Sequence, residues 1–168
     1  MPALLDDAPD GSGRALAAAL APGAVALGAA GALAALENFA HWAVFGLPYV
    51  ASAALIALAP GTPAARPGAI VRAYPAAAAA ALVVAAVAGP SQAGAAVSAG
   101  LAVVAMALLR APHVPAAVCA GAIGLTDPGI GYVGTTLVPA LLVVLGVATV
   151  AGRVLPGFVY PARVAPAA

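Results

Sequence analysis

The chain has 168 residues, six arginines, no lysine and five acidic side chains, for a formal net charge of +1; 65% of it is hydrophobic and only 7% charged. Soluble domains carry about 25% charged residues, so with a mean hydropathy of +1.12 this chain cannot keep itself in water. The net charge of +1 argues neither for nor against nucleic acid, but no basic stripe is available to bind it, and no nucleic-acid partner is expected.

Residues 1–14 carry Asp6, Asp7 and Asp10 and read as a disordered cytoplasmic tail. Arg14 followed by an apolar run resembles a signal peptide, but the acidic start is wrong for one. The membrane domain covers residues 15–152. Long stretches almost free of charge, such as Ala15–Leu36, Ala73–Leu109 and Pro128–Gly152, are candidate transmembrane helices. Six apolar segments are expected: Ala15–Asn38, Val44–Ala59, Ile70–Ala88, Gln92–Leu109, His113–Leu125 and Gly131–Gly152, the last kinked at Pro139. Residues 153–168, with Pro156, Pro161 and Pro166, read as a proline-broken tail. The fold class is all-α, a polytopic membrane protein.

Six crossings that start inside place every arginine on the cytoplasmic side. Glu37, Asp127 and uncharged turns lie opposite, as the positive-inside rule requires. Both termini are then cytoplasmic. A composition rich in Ala, Gly, Pro, Val and Arg points to a GC-rich genome, and so to a bacterial inner membrane.

The second and fifth segments are short and broken by Pro or Gly. A run of about 14 residues reaches ~21 Å, less than a hydrocarbon core of about 30 Å. Each is the middle of a long–short–long triplet. Their starts, Pro48-Tyr49-Val50-Ala51-Ser52-Ala53 and Pro112-His113-Val114-Pro115-Ala116-Ala117, share three identities. Together these features suggest an inverted three-plus-three repeat, and such paired interruptions point to a transporter site. The plainer alternative is two short tilted helices in a thinned bilayer.

Ionisable groups at membrane depth are costly and are functional candidates. Arg110, His113 and Pro115 form the sharpest cluster. The prolines favour irregular backbone, Arg110 supplies a fixed cation and His113 a titratable donor beside a helix start, which together suit a small anion. The alternative is an interfacial turn whose Arg110 snorkels to lipid phosphate. Arg66 and Arg72 follow the other short segment and are either a second cationic group or plain positive-inside anchors. Tyr49 and Ser52, at the start of the second segment, complete the expected solute-binding set. Glu37 and His41, four apart, are either a proton gate or an interfacial pair beside Trp42. Asp127 reads as a turn residue.

Stripes of small residues, Ala24/Gly28/Ala32 and Gly94/Ser98/Ala102, suit close helix packing within the bundle or in a homo-oligomer. Cys119 lies alone in an apolar stretch and reads as a small buried hydrophobe. Two histidines and one cysteine, widely spaced, make no metal site. No nucleotide or nucleophile motif is visible, and no cofactor is expected. The chain is not expected to be an enzyme. The expected partners are membrane lipid and a small solute.

The run Leu108–Ala117, with its Arg-Ala-Pro-His-Val-Pro, resembles the signature of the HPP family of small integral membrane proteins, named for a His-Pro-Pro motif followed by small residues. Ala51-Ser52-Ala53 running to Pro60 resembles an earlier stretch of that family, and Ala64-Ala65-Arg66-Pro67 its following Ala-Gln-Pro. Val114 replaces the first proline of the motif. Arg66 and Tyr74 stand where the family often has Gln and His. The resemblance implies a small membrane protein and the transport of a small inorganic anion such as nitrite. A non-transporting scaffold or accessory subunit is the other reading.

Overall fold

The structure, a computed structural model, describes residues 10–162. Arg163 and the acidic residues Asp6 and Asp7 lie outside the described residues. Six helices follow in order: α1 (Asp10–Ala40), α2 (Leu47–Leu58), α3 (Pro67–Ala88), α4 (Gln92–Leu108), α5 (Val114–Thr126) and α6 (Val138–Val154). α1 begins at Asp10, so residues 10–14 belong to a helix and not to a tail.

Three 22-residue stretches, Ala19–Ala40, Pro67–Ala88 and Val133–Val154, are long and apolar enough to cross a bilayer. α2 and α5 have 12 and 13 residues. At 1.5 Å per residue they reach only about 18–20 Å. Local chemistry sets these limits. Both short helices carry proline in their first turn, where its missing N–H costs nothing. α4 starts at Ser91, whose hydroxyl accepts from the Gly94 N–H at 2.9 Å.

Past the end of α4, Arg110 takes the left-handed conformation, φ +49°, that glycine usually supplies. The Ala111 N–H then closes onto Met106 O at 2.9 Å. Asp127, the residue after α5, is left-handed too, φ +44°.

Before Pro139 the helix has a widened turn, Val133–Leu137, in which the Val138 N–H reaches back five residues to Val133 O. The proline ring would otherwise clash with the carbonyl four residues earlier, that of Thr135.

The main helix pairs are α1–α2, α4–α5, α3–α4, α1–α6, α3–α5, α2–α6 and α2–α5. Exchanging α1 with α4, α2 with α5 and α3 with α6 maps this set onto itself. The triplet pattern of the sequence is therefore also a pattern of packing, and α2–α5 is the pair that maps onto itself.

α4 and α5 approach closely. A Cβ on Gly124 would lie 2.7 Å from Gly94 O and against the Ser98 hydroxyl. Gly94, Ser98 and Ala102 are buried in this seam, so that stripe serves the bundle. The Ala24/Gly28/Ala32 stripe runs beside α6, where a Cβ on Gly28 would meet Val147 at 3.6 Å, while α1 buries Val25, Ala29 and Leu33 more deeply. Ala24 and Ala32 border an apolar groove against Leu142, Gly146 and Val150 of α6.

Four arginines gather at one end. Arg72 donates to Leu109 O at 3.1 Å, tying the start of α3 to the end of α4. Arg66 precedes α3, Arg110 follows α4, and Arg153 lies in the last turn of α6. At the opposite end the Ser91 N–H meets Gly124 O at 3.2 Å, joining the α3–α4 turn to the last turns of α5. α3, α4 and α5 thus run in alternating directions.

The expected tail after residue 152 also differs. α6 continues to Val154, and the chain then folds back. Tyr160 packs against Gly152, where any Cβ would collide with its backbone, and donates to Ala65 O at 2.9 Å. Phe158 is buried beside it.

Candidate functional site

α2 and α5 meet in a buried knot of polar side chains. Ser52 lies about midway along α2. Its Oγ is 2.8 Å from His113 Nε2, 2.7 Å from Tyr74 Oη and 3.0 Å from Pro48 O. Tyr74 also donates to Pro48 O at 2.9 Å. The other ring nitrogen of His113, Nδ1, lies 2.8 Å from Ala64 O. A carbonyl can only accept, so Nδ1 carries a proton. In a neutral ring Nε2 then accepts, and the Ser52 hydroxyl donates to it.

A second pair continues toward the other end of the bundle. Tyr49 Oη is 2.7 Å from Tyr132 Oη, and Tyr132 Oη is 3.6 Å from Cys119 Sγ. The Tyr49 and Tyr74 rings stack with centroids 5.7 Å apart. The Tyr74 and His113 rings are tilted at 5.4 Å. Ser52 is 0% exposed, Tyr74 0%, and Tyr49 and His113 1% each. Their helices place them well inside. Tyr74 is seven residues into α3, roughly 10 Å from the arginine end.

The site gathers only part of the expected set. Tyr49, Ser52, His113 and Pro115 are buried at the α2–α5 contact. Arg110 is exposed and leaves the knot. Its left-handed turn reverses the chain, so Ala111 is buried, Pro112 exposed and His113 buried. Three residues that look adjacent in sequence therefore divide between surface and core. Arg66 and Arg72 are exposed as well, and the Arg72 guanidinium is held by Gly68 O and Leu109 O.

Glu37 and His41 do not keep the four-residue helical spacing expected of them. α1 ends at Ala40, and His41 leaves it with φ +57°. The Glu37 carboxylate accepts instead from the Phe45 N–H at 2.7 Å. His41 and Trp42 line an open cavity of about 480 Å³ with Gly134, Thr135 and Pro139. It opens beside the widened turn that follows Tyr132.

Tyr74, Tyr132 and Cys119 were not expected in the site. Tyr74 had a visible signal, as a departure from the pattern of the family that the chain resembles. Tyr132 and Cys119 had none, because their partners lie on other segments. Among the described residues no group of three or more His, Cys, Asp or Glu is placed to hold a metal ion.

The fold and the knot define a polytopic helical membrane protein with a buried hydrogen-bonded site where two short helices meet. The family model described as "HPP, transmembrane region" matches residues 9–161. The chain belongs to that family, and it is a membrane protein. No curated protein and no solved structure matches it.

Proposed function

We propose that this protein passes a small solute across the membrane at the α2–α5 contact, most simply a small inorganic anion such as nitrite, without transforming it chemically. The observation that carries this reading is the His113–Ser52–Tyr74 knot. It buries a titratable ring and two hydroxyls where two helices too short to span the bilayer meet. Polar groups at such depth are expensive, and short interrupted helices in corresponding positions are where transporters place their sites. Related support comes from the packing pattern, in which α2 and α5 occupy equivalent places.

In this reading His113, Ser52, Tyr74 and Tyr49 line the passage. Pro115 sets the start of α5. Arg66, Arg72 and Arg110 attract anions to the mouth at their end of the bundle, which faces the cytoplasm of a bacterium by the positive-inside rule. The cavity beside His41 and Thr135 is the opposite mouth. The structure then corresponds to a closed state.

The scaffold reading draws on one specific observation: every polar atom that links His113, Ser52 and Tyr74 is satisfied within the protein. Such a knot also serves as a clasp between helices. Uptake by liposomes carrying the purified protein, measured over a panel of small anions and neutral solutes, separates the two. Protein-dependent flux of at least one solute, lost on substitution within the knot, supports transport. A panel with no flux above protein-free vesicles leaves the scaffold reading.

A further inference from the structure

The lining of this site is uncharged. Ser52, Tyr49 and Tyr74 contribute hydroxyls, Tyr132 another and Cys119 a thiol. Arg66, Arg72 and Arg110 are exposed, and Arg72 already serves two carbonyls. An anion brought to Ser52 would leave water for a low-dielectric interior with no countercharge beside it, and buried charges persist only when paired.

The groups that touch His113 are Ser52 from α2, the Ala64 carbonyl and Tyr74 from α3; Tyr49 stacks on the far side of Tyr74, and Cys119 lies near Tyr132. Tyr132 lies beyond Tyr49. α4 contains no titratable residue. Among the described acidic side chains, Glu37 is engaged by the Phe45 N–H, and Asp127 lies at the far end of α5. Within the knot, His113 is therefore the group that can become a cation.

We propose that anion and proton move through this site together, with His113 taking up the proton that supplies the anion's countercharge. The inference rests on the anion-transport reading above.

The hydrogen bonds permit this without loss. With His113 neutral, Nδ1–H donates to Ala64 O and the Ser52 hydroxyl donates to Nε2. When a proton binds Nε2, the new N–H donates to Ser52 Oγ. The Ser52 hydroxyl keeps its proton and turns to donate to Pro48 O, 3.0 Å away, or to the arriving anion. Tyr74 can donate to either Pro48 O or Ser52 Oγ in both states. Proton uptake thus reverses one bond and breaks none. Departure of the anion lets Nε2 return its proton, and the pair crosses with no net charge.

The test uses the full chain in liposomes with nitrite outside and a pH-reporting dye trapped inside, corrected for protein-free vesicles. The proposal expects one proton in the lumen for each nitrite, faster uptake with an acid exterior, and no response to a potassium diffusion potential of either sign. The uncharged His113→Gln keeps a hydrogen-bonding head but no countercharge and should lose at least about 100-fold of the protein-dependent flux. Nitrite flux that follows the imposed potential and leaves the lumen unacidified overturns the pairing while leaving transport intact. Electroneutral flux undiminished in His113→Gln overturns the assignment to His113. No protein-dependent flux of any anion ends the transport reading itself, and this inference with it.

Discussion

His113 Nε2 lies 2.8 Å from Ser52 Oγ across 61 residues of sequence. That contact joins the residue preceding α5 to the middle of α2. Because the same histidine holds Ala64 O, one ring fixes α5, α2 and the α2–α3 connection together.

Ser52→Ala should cost the knot its hub. The ring Nε2 would lose its donor, and Tyr74 would keep only Pro48 O. An unsatisfied buried polar group costs about 1–3 kcal/mol. Thermal unfolding in detergent should register a loss of that size, and protein-dependent uptake should fall with it. An unchanged melting temperature would show that the bond contributes nothing to holding α2 and α5 together.

Gly124→Ala should open the α4–α5 seam. The new methyl carbon would sit 2.7 Å from Gly94 O, and overpacking of this kind costs about 1–3 kcal/mol. Gly121→Ala is the control. Its Cβ would meet Ala95 O at an ordinary 3.8 Å, so its melting temperature should hardly move.

Arg110→Gly separates the two roles of that position. Glycine adopts the left-handed turn without the penalty of a side chain, about 1–2 kcal/mol. The variant should therefore unfold at a higher temperature. If the arginine draws anions to the mouth, uptake should fall a few-fold at low ionic strength and much less at high salt, where exposed charges are screened. A salt-independent loss would count against that role.

Tyr160→Phe should loosen the folded-back segment after α6. It removes the bond to Ala65 O, worth about 1 kcal/mol. Limited proteolysis near residues 155–162 should become faster. Equal rates in the two proteins would show that burial of Phe158 alone holds the segment.

Single cysteines at positions 66 and 110 test orientation in a background with Cys119 replaced. Both should react with an impermeant thiol reagent from the cytoplasmic face only, and a cysteine at 127 from the opposite face only. Labelling of 66 and 110 from different sides of the membrane is the result that removes the six-crossing arrangement.

Composition and spacing by themselves determined the membrane class, the six segments, the two short ones and the clustering of arginine at alternate connections. These properties depend on how each stretch partitions between water and hydrocarbon, which is a local matter of side chains and length. The prominence of His113 and Ser52 was also legible, because few polar residues interrupt the apolar runs and the two short segments share a pattern at their starts. Tertiary structure decided which of the flagged residues belong together. Arg110 is three positions from His113, yet a left-handed backbone at one residue sends it to the surface. Tyr132 meets Tyr49 across 83 residues, a relation that no local window contains. The Glu37–His41 spacing failed for the complementary reason: the helix that would have aligned them stops at Ala40. Hydrophobic partition acts along the chain residue by residue, whereas a buried hydrogen-bonded site depends on which helices pack, and that is settled only when all six are in place.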